Sequence, residues 1–146
     1  MMSFDLALNQ GDLQVGSDGE ISQIRNTSKV VQDVLKVIHM PVGSNPLFPR
    51  LGSTITTDNI GQISNQQFME TRAAASLTQS IQTIQTIQRN QALTQSLTPE
   101  EIITDILQLD VQLDQDPRQV NISIVIQTEA MSAITIPSFT LSTNIL

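Results

Sequence analysis

The residues of this chain that could carry chemistry are few, and their types already narrow what that chemistry would be. Asp110, Asp114 and Asp116 fall close together, and two carboxyl groups at a set separation are what a glycoside hydrolase needs. Against that, Asp110, Gln112 and Asp114 alternate with Leu109, Val111 and Leu113, the pattern of a strand with a solvated face. The chain also has no Trp or Tyr to stack against a sugar. The same aspartates could offer oxygen ligands to calcium, but no glycine-bearing loop of the EF-hand kind surrounds them. His39, the single histidine, ends an apolar helical run, where an imidazole suits the negative end of the helix dipole. One histidine and no cysteine exclude histidine- or cysteine-based zinc sites, thiolate nucleophiles and disulfides. No phosphate-binding loop, dinucleotide fingerprint or nucleophile elbow occurs. No catalytic residue, cofactor or metal is expected.

The tripeptide Asp116-Pro117-Arg118 has two readings. It is a β-turn with proline at its second position and a solvent-facing arginine. The residues alone favour that plain turn over the second reading, a rigid turn that presents the Arg118 guanidinium fork to a partner's carboxylate or carbonyls.

Composition sets wider bounds. A length of 146 residues fits one domain, 1–146. The net charge of −7, with only seven Lys and Arg, argues against nucleic acid and against anionic membrane surfaces. The apolar content is aliphatic, with eighteen Ile and four Phe, and Gln is equally common at eighteen. No charged-then-apolar leader and no membrane-length apolar run are visible, so synthesis in a cytoplasm is expected.

The elements that would position these residues can be read in order. Phe4, Leu6 and Leu8 share a face at period two before a Gly11-Asp12 turn, which predicts a hairpin in 1–24, with Glu20–Ile24 extending the sheet. Asn26, Thr27 and Ser28 are candidate N-caps for a helix over 27–39, whose stripe is Val30, Val31, Val34, Leu35 and Ile38. Residues 41–53 hold three of the six prolines and two of the six glycines, a stiff loop for which Leu47, Phe48 and Leu51 are the expected buried anchors. A long helix over 66–95 carries Ala73, Leu77, Ile81 and Ile84, and an Ile-Gln-Thr repeat of period three that drifts around its surface. Thr98-Pro99-Glu100-Glu101 has the form of a capping box and predicts a short helix over 98–106. Residues 107–141 then alternate as a β-meander, with Pro137 marking an edge or a bulge. The fold expected is α+β: a small mixed or antiparallel sheet with helices packed on one face, an N-terminal hairpin and a C-terminal meander.

These pieces, in this order, resemble a known family. The N-terminal Asp-Leu-x-Leu…Gly-Asp-Leu hairpin, the Val-Val-Gln-x-Val-Leu helix, the Pro-x-Gly-Ser-x-Pro…Gly-Ser loop and an acid-Pro-Arg turn before alternating strands are similar to the sheath-initiator, or baseplate wedge, family of contractile phage tails, with relatives in type VI secretion baseplates. The chain departs from it at Gly43-Ser44, where the family often has Gly-Glu, and at Asp116-Pro117-Arg118, where it has Glu-Pro-Arg. Its 66–113 region is also longer than in compact members. The resemblance implies a non-enzymatic virion protein of the tail baseplate, present in copies arranged by tail symmetry. Its implied partners are the tail sheath protein and the baseplate wedge proteins, with tail tube or hub proteins as further neighbours. Asp116, Pro117 and Arg118 become the implied wedge contact. Residues 3–8 and 133–141, as short strands with open edges, become the strands exchanged with sheath subunits. A carboxylate-dependent tail lysozyme is the alternative.

Overall fold

Val30, Val34, Val37 and Ile38 recur at helical spacing and are buried along one side of the first helix, α1 (Asn26–His39). The computed structural model describes residues 4–9, 12–54, 66–113 and 119–142. The expected side-chain N-cap does not form: the helix opens with Asn26 at φ 53° and no capping bond. The Asn26 side chain is used elsewhere, its Oδ1 accepting from Thr98 Oγ1 at 3.2 Å. At the other end Met40 N–H bonds back to Lys36 O, and Pro41 follows.

The second helix, α2 (Gln66–Gln91), buries Ala73, Leu77, Ile81 and Ile84. The drift of the three-residue repeat decides what comes next on that face. Ile87 is only half-buried, while Gln88 is buried and accepts the Ile103 N–H at 2.9 Å.

The predicted helix over 98–106 is cut to one 3-10 turn, Pro99–Glu101. Its capping signal is real, since Glu101 Oε2 accepts from Thr98 N at 2.7 Å. The helix cannot propagate because its carbonyls are taken by a distant turn. Ala130 N–H donates to Pro99 O and Glu129 N–H to Ile102 O. The chain therefore turns extended at once, and the meander starts four residues before the expected 107.

That meander is antiparallel, ordered β5 (Ile103–Leu113), β6 (Gln119–Thr128), β7 (Ala133–Ser142). Val120, Ile122, Ile124 and Ile126 alternate into the core from the central strand, joined by Ile134 and Ile136 from β7. Two register shifts in β5 leave Thr104 and Leu107 without opposite residues. The inward row of β5 is thus Ile103, Ile106, Leu109 and Val111, and Leu107, which plain alternation with Leu109 and Val111 would place in that row, is turned out at 51% exposure. Pro137 sits at a third shift, opposite the step from Ile122 to Ile124, on an outer strand as its missing N–H requires. Both helices pack on one face of this sheet, α2 against β5 and α1 against β7. The architecture is α+β, as predicted.

The N-terminal region is more than a hairpin. β1 (Asp5–Leu6) pairs with β4 (Gln23–Ile24), β2 (Leu8–Asn9) pairs with β3 (Asp12–Leu13), and Val15 bridges Ile21. The three short arms meet where Ala7 N–H donates to Ser22 O, Ser22 N–H to Gln14 O, and Gln14 N–H to Ala7 O. These bonds close a triangle, and each corner residue hands its strand from one arm to the next. Ala7 is buried, whereas Phe4, Leu6 and Leu8, the row that shares a face at period two, are exposed. Alternation gives Ala7 the inward position and leaves its aliphatic neighbours outward.

Candidate functional site

Asp116, Pro117 and Arg118 lie outside the described residues, as does Asp114. Asp110 is described: it is exposed on the outer face of β5, and its carboxylate accepts from Gln108 Nε2 two residues away. No second carboxylate is bonded to it among the described residues. Nor do those residues contain a group of three or more His, Cys, Asp or Glu able to hold a metal ion. Among the described residues no helix is long and apolar enough to cross a membrane. His39 closes α1 with Nδ1 2.7 Å from Leu35 O, and its ring packs at 5.5 Å on Phe139 of β7. These are positioning contacts.

What the structure does build is a set of held surfaces around the helices. The first is the proline–glycine loop. Its two ends are latched by Ser53 N–H to Met40 O at 2.8 Å, beside a Pro41–Ser53 bridge. Gly52 permits the latch: at φ +128° a Cβ there would stand 2.6 Å from Met40 O. Two serines of α2 then pin the loop, Ser80 Oγ donating to Gly52 O at 2.8 Å and Ser76 Oγ lying 2.9 Å from Thr54 Oγ1. The tip is not anchored as expected. Leu47 is 83% exposed and Phe48 is also exposed, and only Leu51 packs on the core. A groove of about 630 Å³ separates that tip from Thr83, Ile87 and Asn90 of α2.

The second surface is the N-terminal ribbon, fastened to α1 by Gln32. Its Oε1 accepts the Leu8 N–H at 2.9 Å while its Nε2 donates to Leu6 O at 2.8 Å and to Asp5 Oδ2 at 2.9 Å. One amide thus imitates a neighbouring strand across residues 6–8. Lys36 Nζ reaches the same Asp5 oxygen at 2.5 Å. Burial alone would raise the Asp5 carboxyl, but Lys36 and Gln32 outweigh it and hold the group below its usual value. Asp33, between Lys29 and Lys36, is pushed up because burial dominates both ammonium groups. Of residues 3–8, expected as a strand for exchange, residues 5–8 are engaged on one side by β3 and β4 and on the other by Gln32.

The third surface is the outer edge of β7. It has ten residues, and no strand pairs with its far side among the described residues. The edge of β5 is also open but broken by two bulges.

Sequence reasoning missed the Gln32 clamp and the three-way junction. A signal for the second was present: Asp5-Leu6, Asp12-Leu13 and Glu20-Ile21 repeat an acid–aliphatic step just before each corner.

No family model and no curated protein sequence matches this chain. Its fold is similar to the crystal structure of a Geobacter sulfurreducens protein described as a "putative tail lysozyme". The TM-score is 0.57 at 8% identity, covering 81% of this chain and 91% of that one. At that identity the likeness concerns the fold.

Proposed function

We propose that this protein is a structural component of a contractile tail baseplate, which docks on the wedge and starts sheath polymerisation by strand exchange with sheath subunits. The observation that carries the reading is the open edge of β7. An extended segment adding there gains main-chain hydrogen bonds, with the alternating side chains setting its register. The order of sequence motifs and the description of the similar solved structure as a tail protein point the same way. In this reading the chain is not an enzyme, its place is the tail baseplate of a virion, and Asp116, Pro117 and Arg118 form the wedge contact.

Co-expression with a contractile sheath subunit from the same genome tests it. A stable complex in which the β7 amides become protected from hydrogen exchange is the expected result. No complex, or a complex that leaves β7 exchange unchanged, rejects strand addition at this edge. The second reading, a tail lysozyme, is favoured by the description of the similar structure. It requires hydrolysis of purified peptidoglycan that is lost in Asp110→Asn or Asp114→Asn, and that result would replace the assembly reading.

A further inference from the structure

The three-way junction has a second face. The six positions that flank its corners pair as Leu6 with Gln23, Leu8 with Leu13, and Val15 with Ile21. Five of the six are aliphatic, and these five are between 37% and 60% exposed, with Phe4 exposed beside them. The pairing brings them into one ring around the hydrogen-bonded triangle instead of scattering them. Single exposed apolar residues are ordinary, but a contiguous set rimmed by polar residues marks a contact surface.

The rim has a sign. Residues 1–25 contain Asp5, Asp12, Asp18 and Glu20 against one base, Arg25. Asp5 is satisfied by Lys36, whereas Asp12, Asp18 and Glu20 are exposed and have no cationic partner among the described residues. A second copy seated on the ring would set these three carboxylates against their own equivalents in a chain of net charge −7. An anionic lipid surface meets the same repulsion. A cationic, aliphatic surface meets none, because it offers alkyl groups to the ring and ammonium or guanidinium groups to the rim.

We propose that the outer face of this junction, centred on Leu6, Leu8, Leu13, Val15 and Ile21, docks a basic, aliphatic segment of another protein. This surface is separate from the β7 edge and does not depend on the tail assignment.

Two synthetic peptides titrated against the full chain test it, one alternating leucine with lysine and the other leucine with glutamate. The leucine–lysine peptide binds saturably, weakens at least about tenfold from low to high salt, and loses binding to a Leu13→Ser/Val15→Ser variant of unchanged helical signal. An Asp12→Asn/Asp18→Asn/Glu20→Gln variant, which leaves the aliphatic ring intact, also binds it at least about tenfold more weakly. The proposal is overturned if neither peptide binds, if both bind equally, or if the ring and rim substitutions leave binding unchanged. Reversible dimerisation of the free chain that the ring variant abolishes overturns it too, by naming a second copy as the occupant.

Discussion

The Lys29 ammonium stands 4.0 Å from the Glu101 carboxylate, and the two side chains are 7% and 1% exposed. The pair crosses from the first turn of α1 to the 3-10 turn that launches β5, so one buried interaction sets both elements against each other. Asp33, at 3.5 Å, is the only other carboxylate bonded to Lys29 among the described residues.

Removing Lys29 leaves the Glu101 carboxylate buried without a cation, whereas removing Glu101 leaves Lys29 paired with Asp33. Lys29→Met lowers unfolding free energy by about 3 kcal/mol, within the range for leaving a buried charge without its partner, and Glu101→Leu costs less because Lys29 keeps Asp33. The double variant Lys29→Met/Glu101→Leu is less damaging than the sum of its single changes, because Glu101 no longer carries a charge that lacks a partner and Asp33 keeps Lys36. Urea denaturation of the four proteins measures the coupling, and strict additivity would refute it.

Gln32→Ala removes three hydrogen bonds to residues 5–8 without touching the core. At about 0.5–1.5 kcal/mol net for each bond, the ribbon loses roughly 1.5–4.5 kcal/mol of its hold on α1. Hydrogen exchange at the Leu8 amide accelerates accordingly, while amides of β6 keep their protection. Equal acceleration in both places would show that the ribbon and the core open together.

Acid acts on the same fastening with two opposite signs. Asp5 has a lowered carboxyl, so its contribution is present above its usual value of 3.8 and is lost as pH falls through the lower folded value. Asp33 has a raised carboxyl, so its ionisation costs stability as pH rises from 3.8 towards the higher folded value, and protonation relieves that cost. The destabilisation caused by Asp5→Asn is therefore largest at neutral pH and fades in strong acid. The stability of Asp33→Asn relative to wild type moves the other way, improving from acid to neutral pH. Denaturation midpoints across this range check both trends.

The two glycines of the loop at positive φ separate backbone strain from collision. Gly43 lies at φ +87° with open space around its Cβ position, so Gly43→Ala costs about 1–2 kcal/mol for the left-handed backbone alone. Gly52→Ala adds a 2.6 Å approach to Met40 O and costs more than Gly43→Ala, on the order of 3 kcal/mol or above. Thermal unfolding of the two variants gives the order, and equal losses would mean that the latch yields easily.

How much of this was legible depends on the range over which each signal acts. The α1 stripe and the alternation of Val120, Ile122, Ile124 and Ile126 are local periods, and both read correctly. The capping box at Thr98 marks where a helix can start. It says nothing about length, which was decided by Glu129 and Ala130 arriving from the next hairpin. The inward row of β5 shifted because bulges at Thr104 and Leu107 change phase without leaving a glycine or proline as a sign. Leu47 and Phe48 read as anchors because apolar residues in a stiff loop usually are, yet here they are displayed. The junction escaped a hairpin reading because each of its strands changes partner at its middle residue. As for the candidate site, a strand was expected over 133–141 and β7 forms there, while Asp116, Pro117 and Arg118 fall outside the described residues.

The triangle of Ala7, Gln14 and Ser22 also has a consequence in time. Successive corners are seven and eight residues apart along the chain, so two of the closures span short loops, and the third, from Ala7 to Ser22, joins ends that those two already bring together. A growing chain completes residues 5–24, which hold the whole junction, well before any strand of the meander exists. Arms of two residues cannot persist alone, and the first outside support to emerge is Gln32. The N-terminal quarter can therefore assemble as an early unit on α1, while the sheet that buries most of the core must wait for the far end of the chain.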